Sequence, residues 1–159
     1  MEIVSFMSPD LWQRIIVSIF CGALVGLDRQ LRGKPAGIRT SSLISLGTTI
    51  FVTLGSSYSP NQGDQLRVLS QVVTGIGFLG AGVIMSKEGL VTGVTSAAVI
   101  WVLATIGAAV GMGYFGMAFA ITIATVGVLV GVEFLEESFQ KLRIGSHSKG
   151  MDSYDQPEE

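Results

Sequence analysis

The sequence is short of the residues that most catalytic sites and cross-linked scaffolds need. It has one cysteine and one histidine in 159 residues. That excludes a disulfide framework and a Cys/His zinc site within one chain. Charge is scarce as well: Asp, Glu, Lys and Arg make up 14% of the chain, against about 25% in a typical soluble domain. The net charge is −2, so no overall basic field exists for nucleic acid. What is abundant is apolar: the A, V, I, L, M, F, W, Y, C set reaches 48%, and there are 21 glycines. This balance excludes an intrinsically disordered chain and argues against an ordinary cytosolic enzyme.

The few charges also cluster, leaving long neutral stretches. No charged residue occurs from Gly89 to Val132, from Val68 to Ser86, or from Thr40 to Gly63. A bilayer core about 30 Å thick needs roughly 20 apolar helical residues, so the longest stretch holds two passes. Gly111-Met-Gly-Tyr-Phe-Gly116 supplies the turn between them, being rich in a helix-weakening residue. The expected fold is therefore an all-α membrane bundle of about five helices. They are expected at Pro9 to Arg32, Gly37 to Gly55, Gln65 to Met85, Thr92 to Gly111 and Tyr114 to Leu142. Ser8, Pro9 and Asp10 mark the first helix start as cap, first-turn proline and favourable charge. A secretory signal peptide fits poorly there, because the start is acidic and the apolar run ends in Leu27-Asp-Arg-Gln-Leu-Arg-Gly33.

Cations set the expected orientation. Arg29, Arg32, Lys34 and Arg39 lie in the first connection, Lys87 in the third, and Lys141, Arg143 and Lys149 near the C-terminus. Only Arg14 and Arg67 fall on the other side, with Arg14 snorkelling outward. The N-terminus is then outside and the C-terminus cytoplasmic. Residues 9–142 form the membrane domain, and 145–159, which includes His147, reads as a flexible solvated tail.

Helices in lipid associate through close backbone approach and interhelical hydrogen bonds. G-x-x-x-G pairs occur at Gly22/Gly26, Gly107/Gly111 and Gly127/Gly131, suited either to a compact bundle or to a dimer interface. The third helix carries a polar-to-small stripe through Arg67, Ser70, Gln71, Thr74, Gly77 and Ala81. Gln71 needs a partner inside an apolar span, so the stripe either fixes packing or lines a polar cavity. Ser41, Ser45, Thr48 and Thr49 form a similar stripe on the second helix, and Thr92, Thr95 and Ser96 open the fourth. Such hydroxyls often bond backbone.

Gly75, Gly77 and Gly80 spell G-x-G-x-x-G, and Gly82 follows. The motif lies inside a membrane helix rather than on a strand-to-helix turn, so it is not a nucleotide site. Gly33-Lys34 is no P-loop either, because Asp28 stands where its first glycine belongs and Pro35 follows the lysine. Asp28 either pairs with Arg32 across one helical turn, or it coordinates a hard cation such as Mg2+ or exchanges a proton at the cytoplasmic mouth. One carboxylate alone is not a specific metal site, and Asp64 and Glu88 lie in opposite loops. The first-connection cations, Arg39 among them, serve topology or hold anionic headgroups. Cys21 reads as a buried thiol.

Gly26-Leu-Asp-Arg-Gln-Leu-Arg-Gly-Lys-Pro-Ala-Gly-Ile-Arg-Thr40 and Gln71-Val-Val-Thr-Gly-Ile-Gly-Phe-Leu-Gly-Ala-Gly-Val-Ile84, followed by Gly93-Val-Thr-Ser-Ala-Ala-Val-Ile-Trp101, resemble the MgtC/SapB family of bacterial membrane proteins. The resemblance covers about residues 10–140. It implies an inner-membrane protein associated with growth at low Mg2+ and, in some pathogens, survival inside host phagocytes. Relatives are labelled Mg2+ transporters, and a regulatory role, including restraint of the ATP synthase, is also assigned within the family. Longer members carry a soluble C-terminal domain that this chain ends too soon to contain. Val94-Thr95-Ser96 replaces the Leu-Asn-Thr or Leu-Thr-Thr of relatives. The expected function is a non-enzymatic regulator of membrane ion or proton homeostasis with no cofactor. A small oligomeric cation transporter is the alternative. The expected partners are the bilayer, a second copy, and a membrane protein such as ATP synthase, with no nucleic acid.

Overall fold

The structure is a computed structural model that describes residues 8–58, 62–87 and 90–147. Five helices follow in chain order: α1 (Pro9–Leu31), α2 (Ile38–Tyr58), α3 (Gln62–Gly82), α4 (Val94–Gly111) and α5 (Phe115–His147). α1, α4 and the Phe115–Val132 part of α5 are long and apolar enough to cross a membrane. The chain divides into two units, Met1–Val126 and Gly127–Glu159. The first holds α1 to α4 and the opening turns of α5. The described part of the second is the remainder of α5.

Local chemistry explains most helix ends. Gly33 (φ 62°) and Gly113 (φ 84°) adopt the left-handed conformation just beyond α1 and α4. In each case the next residue donates back over the helix end, Lys34 N to Arg29 O at 2.9 Å and Tyr114 N to Ala109 O at 2.8 Å. This is the closure that a glycine after the last turn permits. Pro9 and Asp10 open α1 as expected, but the Ser8 hydroxyl makes no capping bond. Leu11 N instead donates to the Ser8 carbonyl at 3.1 Å.

The connection between α3 and α4 departs from the expected helices. α3 stops at Gly82, and Met85–Lys87 (β1) pairs antiparallel with Leu90–Thr92 (β2), Ser86 facing Val91. Glycines at 80 and 82 weaken the helix, and the β-branched Val83, Ile84, Val91 and Thr92 suit extended backbone. Gly93 then caps α4 at φ 88°, and a Cβ there would collide with the Val83 carbonyl. At the other end of the chain, α5 runs to His147, into the segment expected as a tail. Residues 148–159 and Glu88 lie outside the described residues, as do the side chains of Asp64, Lys87, Lys141, Arg143 and His147.

In the first unit α2 is clasped between α1 and α4. A Cβ at Gly22 would sit 2.7 Å from Ser41 O, and one at Gly26 would sit 2.6 Å from Ile38 Cα, both on α2. On the opposite side, a Cβ at Gly107 would strike the Ser45 carbonyl and one at Gly111 would lie 2.8 Å from Val52 Cβ. These two glycine pairs therefore bring backbones together within one chain. Val25, Ile100, Leu103, Ile106 and Val110 fill the enclosed interior. α3 packs more loosely on α4, where Gly80 has Ala97 at 3.7 Å. Cys21 is buried against Thr122 of α5.

Candidate functional site: a buried charged cluster and an open groove

Two polar features mark the first unit: a charged cluster at one end, and a groove along α2 and α3 whose cation, Arg67, stands toward the other end. One forms where α1 ends and α4 begins. α1 turns one face inward through Ser18, Cys21, Gly22, Val25, Gly26 and Arg29. Arg29 is only 4% exposed, and its Nη2 donates to Ser96 Oγ at 2.5 Å. Ser96, 3% exposed, sits in the first turn of α4. Asp28 accepts from Arg32 Nε through Oδ1 at 2.7 Å, the one-turn ion pair expected from the spacing. Asp28 Oδ2 and Arg29 Nε are buried without a hydrogen-bond partner. Charged groups in such surroundings are costly when unpaired, so the cluster is held by the packing of α1 against α2 and α4. Among the described residues no three of His, Cys, Asp or Glu converge. The donor set for a cation is one carboxylate, and Mg2+ held there would keep most of its water.

The other feature is a groove of about 1030 Å³ between α2, α3 and α4. Leu43, Phe51, Val72 and Ile76 are among its apolar walls, and Thr40, Thr48, Arg67 and Gln71 are its polar residues. Gly75 also lines it. Thr74 turns away from it, donating to Ser70 O at 3.0 Å on its own helix. Gln71 is exposed rather than tied to a neighbouring helix.

The remaining expected residues divide between these ends. Thr95 and Arg39 are exposed near the charged cluster. Asp28 and Arg67 do not meet: the end of α1 packs on the start of α2, Gly26 against Ile38, while Arg67 lies beside the end of α2, where Gly55 meets Val68. Gly77 and Gly82 have nothing within 4 Å of an added Cβ, nor do Gly75, Gly127 and Gly131 among the described surroundings. The α2 hydroxyls act as interhelical ties: Thr49 Oγ1 donates to Gly107 O at 2.9 Å and Thr53 Oγ1 to Gly111 O at 3.4 Å. Ser45 Oγ is buried and unpartnered.

The surroundings of two arginines do not follow from their place in the chain. Arg29 stands among the first-connection cations, yet it is the most deeply buried charge described. The available signal was its register, three residues after Gly26 on the close-packing face. Arg14 does not simply snorkel outward. It pairs with Asp10 at 3.1 Å and donates to the Gly111 carbonyl at the C-terminus of α4, where a cation is favourable.

Long apolar helices joined by glycine-mediated contacts define this chain as a helical membrane protein. The MgtC family profile matches residues 15–138, and the chain belongs to that family. It is 38% identical over 128 residues to Protein MgtC of Salmonella typhimurium, covering 80% of this chain and 53% of that protein. It is 32% identical over 145 residues to Protein SapB of Bacillus subtilis, covering 86% and 61%. A protein of Escherichia coli named Putative magnesium transporter YhiD is 39% identical over 122 residues, covering 72% and 56%. The chain thus spans little more than half the length of these curated relatives. No solved structure matches it at a significant level.

Proposed function

We propose that this protein is a non-enzymatic, multi-pass protein of the bacterial inner membrane. In this reading it supports adaptation to low magnesium by regulating ion or proton homeostasis. The observation that carries the proposal is the separation of its two polar ends. Between the Arg29–Ser96 contact and the α4 C-terminus, α4 buries Ile100, Leu103, Ile106 and Val110, while Thr49 and Thr53 are spent on backbone carbonyls. A packed interior of this kind supports regulation rather than conduction. The charged cluster acts as the sensing end and the α3 surface meets a membrane partner, with ATP synthase the candidate drawn from the family resemblance.

All five helices cross the bilayer in this reading, with the N-terminus outside. Arg29, Arg32, Lys34 and Arg39 gather at the end where α1 passes to α2, and Arg14 and Arg67 stand at the other, which supports a cytoplasmic location for the charged cluster. The open glycines at 77, 82, 127 and 131, none of which lines the groove, support self-association as a dimer. Neither a cofactor nor nucleic acid enters the reading. A second reading, transport of Mg2+ or another cation, is favoured by the unpartnered Asp28 Oδ2 and by the printed name of the Escherichia coli relative. Reconstitution in liposomes separates the two. Folded, oriented protein is expected to give no Mg2+ flux above empty liposomes. Saturable flux that disappears in Asp28→Asn would replace regulation by transport.

A further inference from the structure

The groove between α2, α3 and α4 is an apolar trough with a cation at one end. Arg67 lies near the start of α3 and Val83 just beyond its end, and both line the trough. The separation along a helix is about 24 Å at 1.5 Å per residue, most of the roughly 30 Å hydrocarbon thickness of a bilayer. The volume of about 1030 Å³ is at the upper end of ligand sites, which run from roughly 300 to 1,000 Å³. No lining residue is a carboxylate, and no described carboxylate pairs with Arg67. Among the described side chains, which do not include Asp64, no acid answers the charge at the trough mouth, and that charge faces an open apolar trough.

We propose that this trough binds one anionic phospholipid, its phosphate on the Arg67 guanidinium and an acyl chain laid along Leu43, Phe51, Val72 and Ile76. Gln71, one turn further along α3, offers a donor to the glycerol ester region. Two glycines make the space. Gly47 and Gly75 both line the trough, and an added Cβ at either meets nothing within 4 Å. They do not bring helices together as Gly22 or Gly107 do; they leave room for a chain. Arginine suits the task because its planar fork grips phosphate oxygens in pairs. A zwitterionic lipid fills the trough less well because its ammonium group opposes Arg67.

Native mass spectrometry of protein released from nanodiscs containing phosphatidylglycerol and phosphatidylcholine in equal amounts tests this. The wild type is expected to retain one phosphatidylglycerol in preference to phosphatidylcholine. Arg67→Gln is expected to reduce that preference about fivefold, the effect of one basic side chain on anionic lipid, and Arg67→Lys to keep most of it. Gly47→Leu and Gly75→Leu are expected to displace the lipid while preserving helicity and thermal stability, since neither site is crowded. Equal retention of the two lipids by the wild type would overturn the proposal, as would unchanged preference in Arg67→Gln. A disulfide between copies through a cysteine placed at Gly75 would also overturn it, because a second chain would then occupy the trough. None of these outcomes depends on whether the protein regulates or transports.

Discussion

Replacing one hydrogen by one methyl group is expected to have opposite effects at two glycines of this bundle. At Gly107 the new Cβ would collide with the Ser45 carbonyl and lie 2.8 Å from Thr48 Cβ. Both belong to α2, and the backbone atom cannot swing aside as a side-chain tip can. Overpacking of this kind costs about 1–3 kcal/mol. Separating the helices also stretches the 2.9 Å bond from Thr49 Oγ1 to Gly107 O, worth about 0.6 kcal/mol for an interhelical bond in a membrane. Alanine recovers about 1 kcal/mol of helix propensity over glycine. Gly107→Ala should therefore lose about 1–2 kcal/mol. At Gly75 nothing lies within 4 Å of the added Cβ, so only the propensity gain of about 1 kcal/mol remains. The two variants should differ by about 2–3 kcal/mol, a thirtyfold or greater separation in folding equilibrium. Reversible unfolding in mixed micelles, followed by far-ultraviolet circular dichroism, measures it. Equal stabilities would refute the close contact of α2 and α4 at Gly107.

Three further outcomes follow from named contacts. Ser96→Ala should cost about 1.5–3 kcal/mol by taking the hydroxyl from the buried Arg29 guanidinium. Ser96→Thr, which keeps the hydroxyl, should recover most of that in the same unfolding assay. Arg14→Leu should lower stability by about 1 kcal/mol, because it removes a cation from the carbonyl end of α4. Hydrogen exchange at the α4–α5 turn should rise with it, and unchanged protection there would count against the Arg14–Gly111 bond. Thr49→Val keeps the shape and removes the bond to Gly107 O, so it should cost about 0.6 kcal/mol. A loss above about 2 kcal/mol would mean that packing, and not this hydrogen bond alone, was disturbed.

Spacing and composition carried the helix count because each helix satisfies its own backbone within an apolar stretch. The ends after α1 and α4 were legible for the same local reason: Gly33 and Gly113 each admit a left-handed residue. The stretch from Val83 to Thr92 was not, because short β pairing depends on a partner segment several residues away. The Asp28–Arg32 pair could be read from a spacing of four on one helix. The Arg29–Ser96 contact joins residues 67 positions apart, and no local pattern specifies such a distance.

The sequence by itself determined an apolar helical membrane protein, the approximate bounds of its five helices, and the asymmetry of its cations. These properties depend on hydropathy, local backbone preference and charge order along the chain. Only the tertiary structure decided what the glycines and charges do. It placed Gly22, Gly26, Gly107 and Gly111 in helix contacts, while leaving Gly47 and Gly75 beside an open trough. It also buried Arg29 against Ser96 and left Arg67 exposed. The physical reason is that a glycine or arginine has the same local character on every face of a helix. Which neighbour it meets is fixed by the rotation of that helix against others, and that rotation is settled by packing among segments distant in the chain.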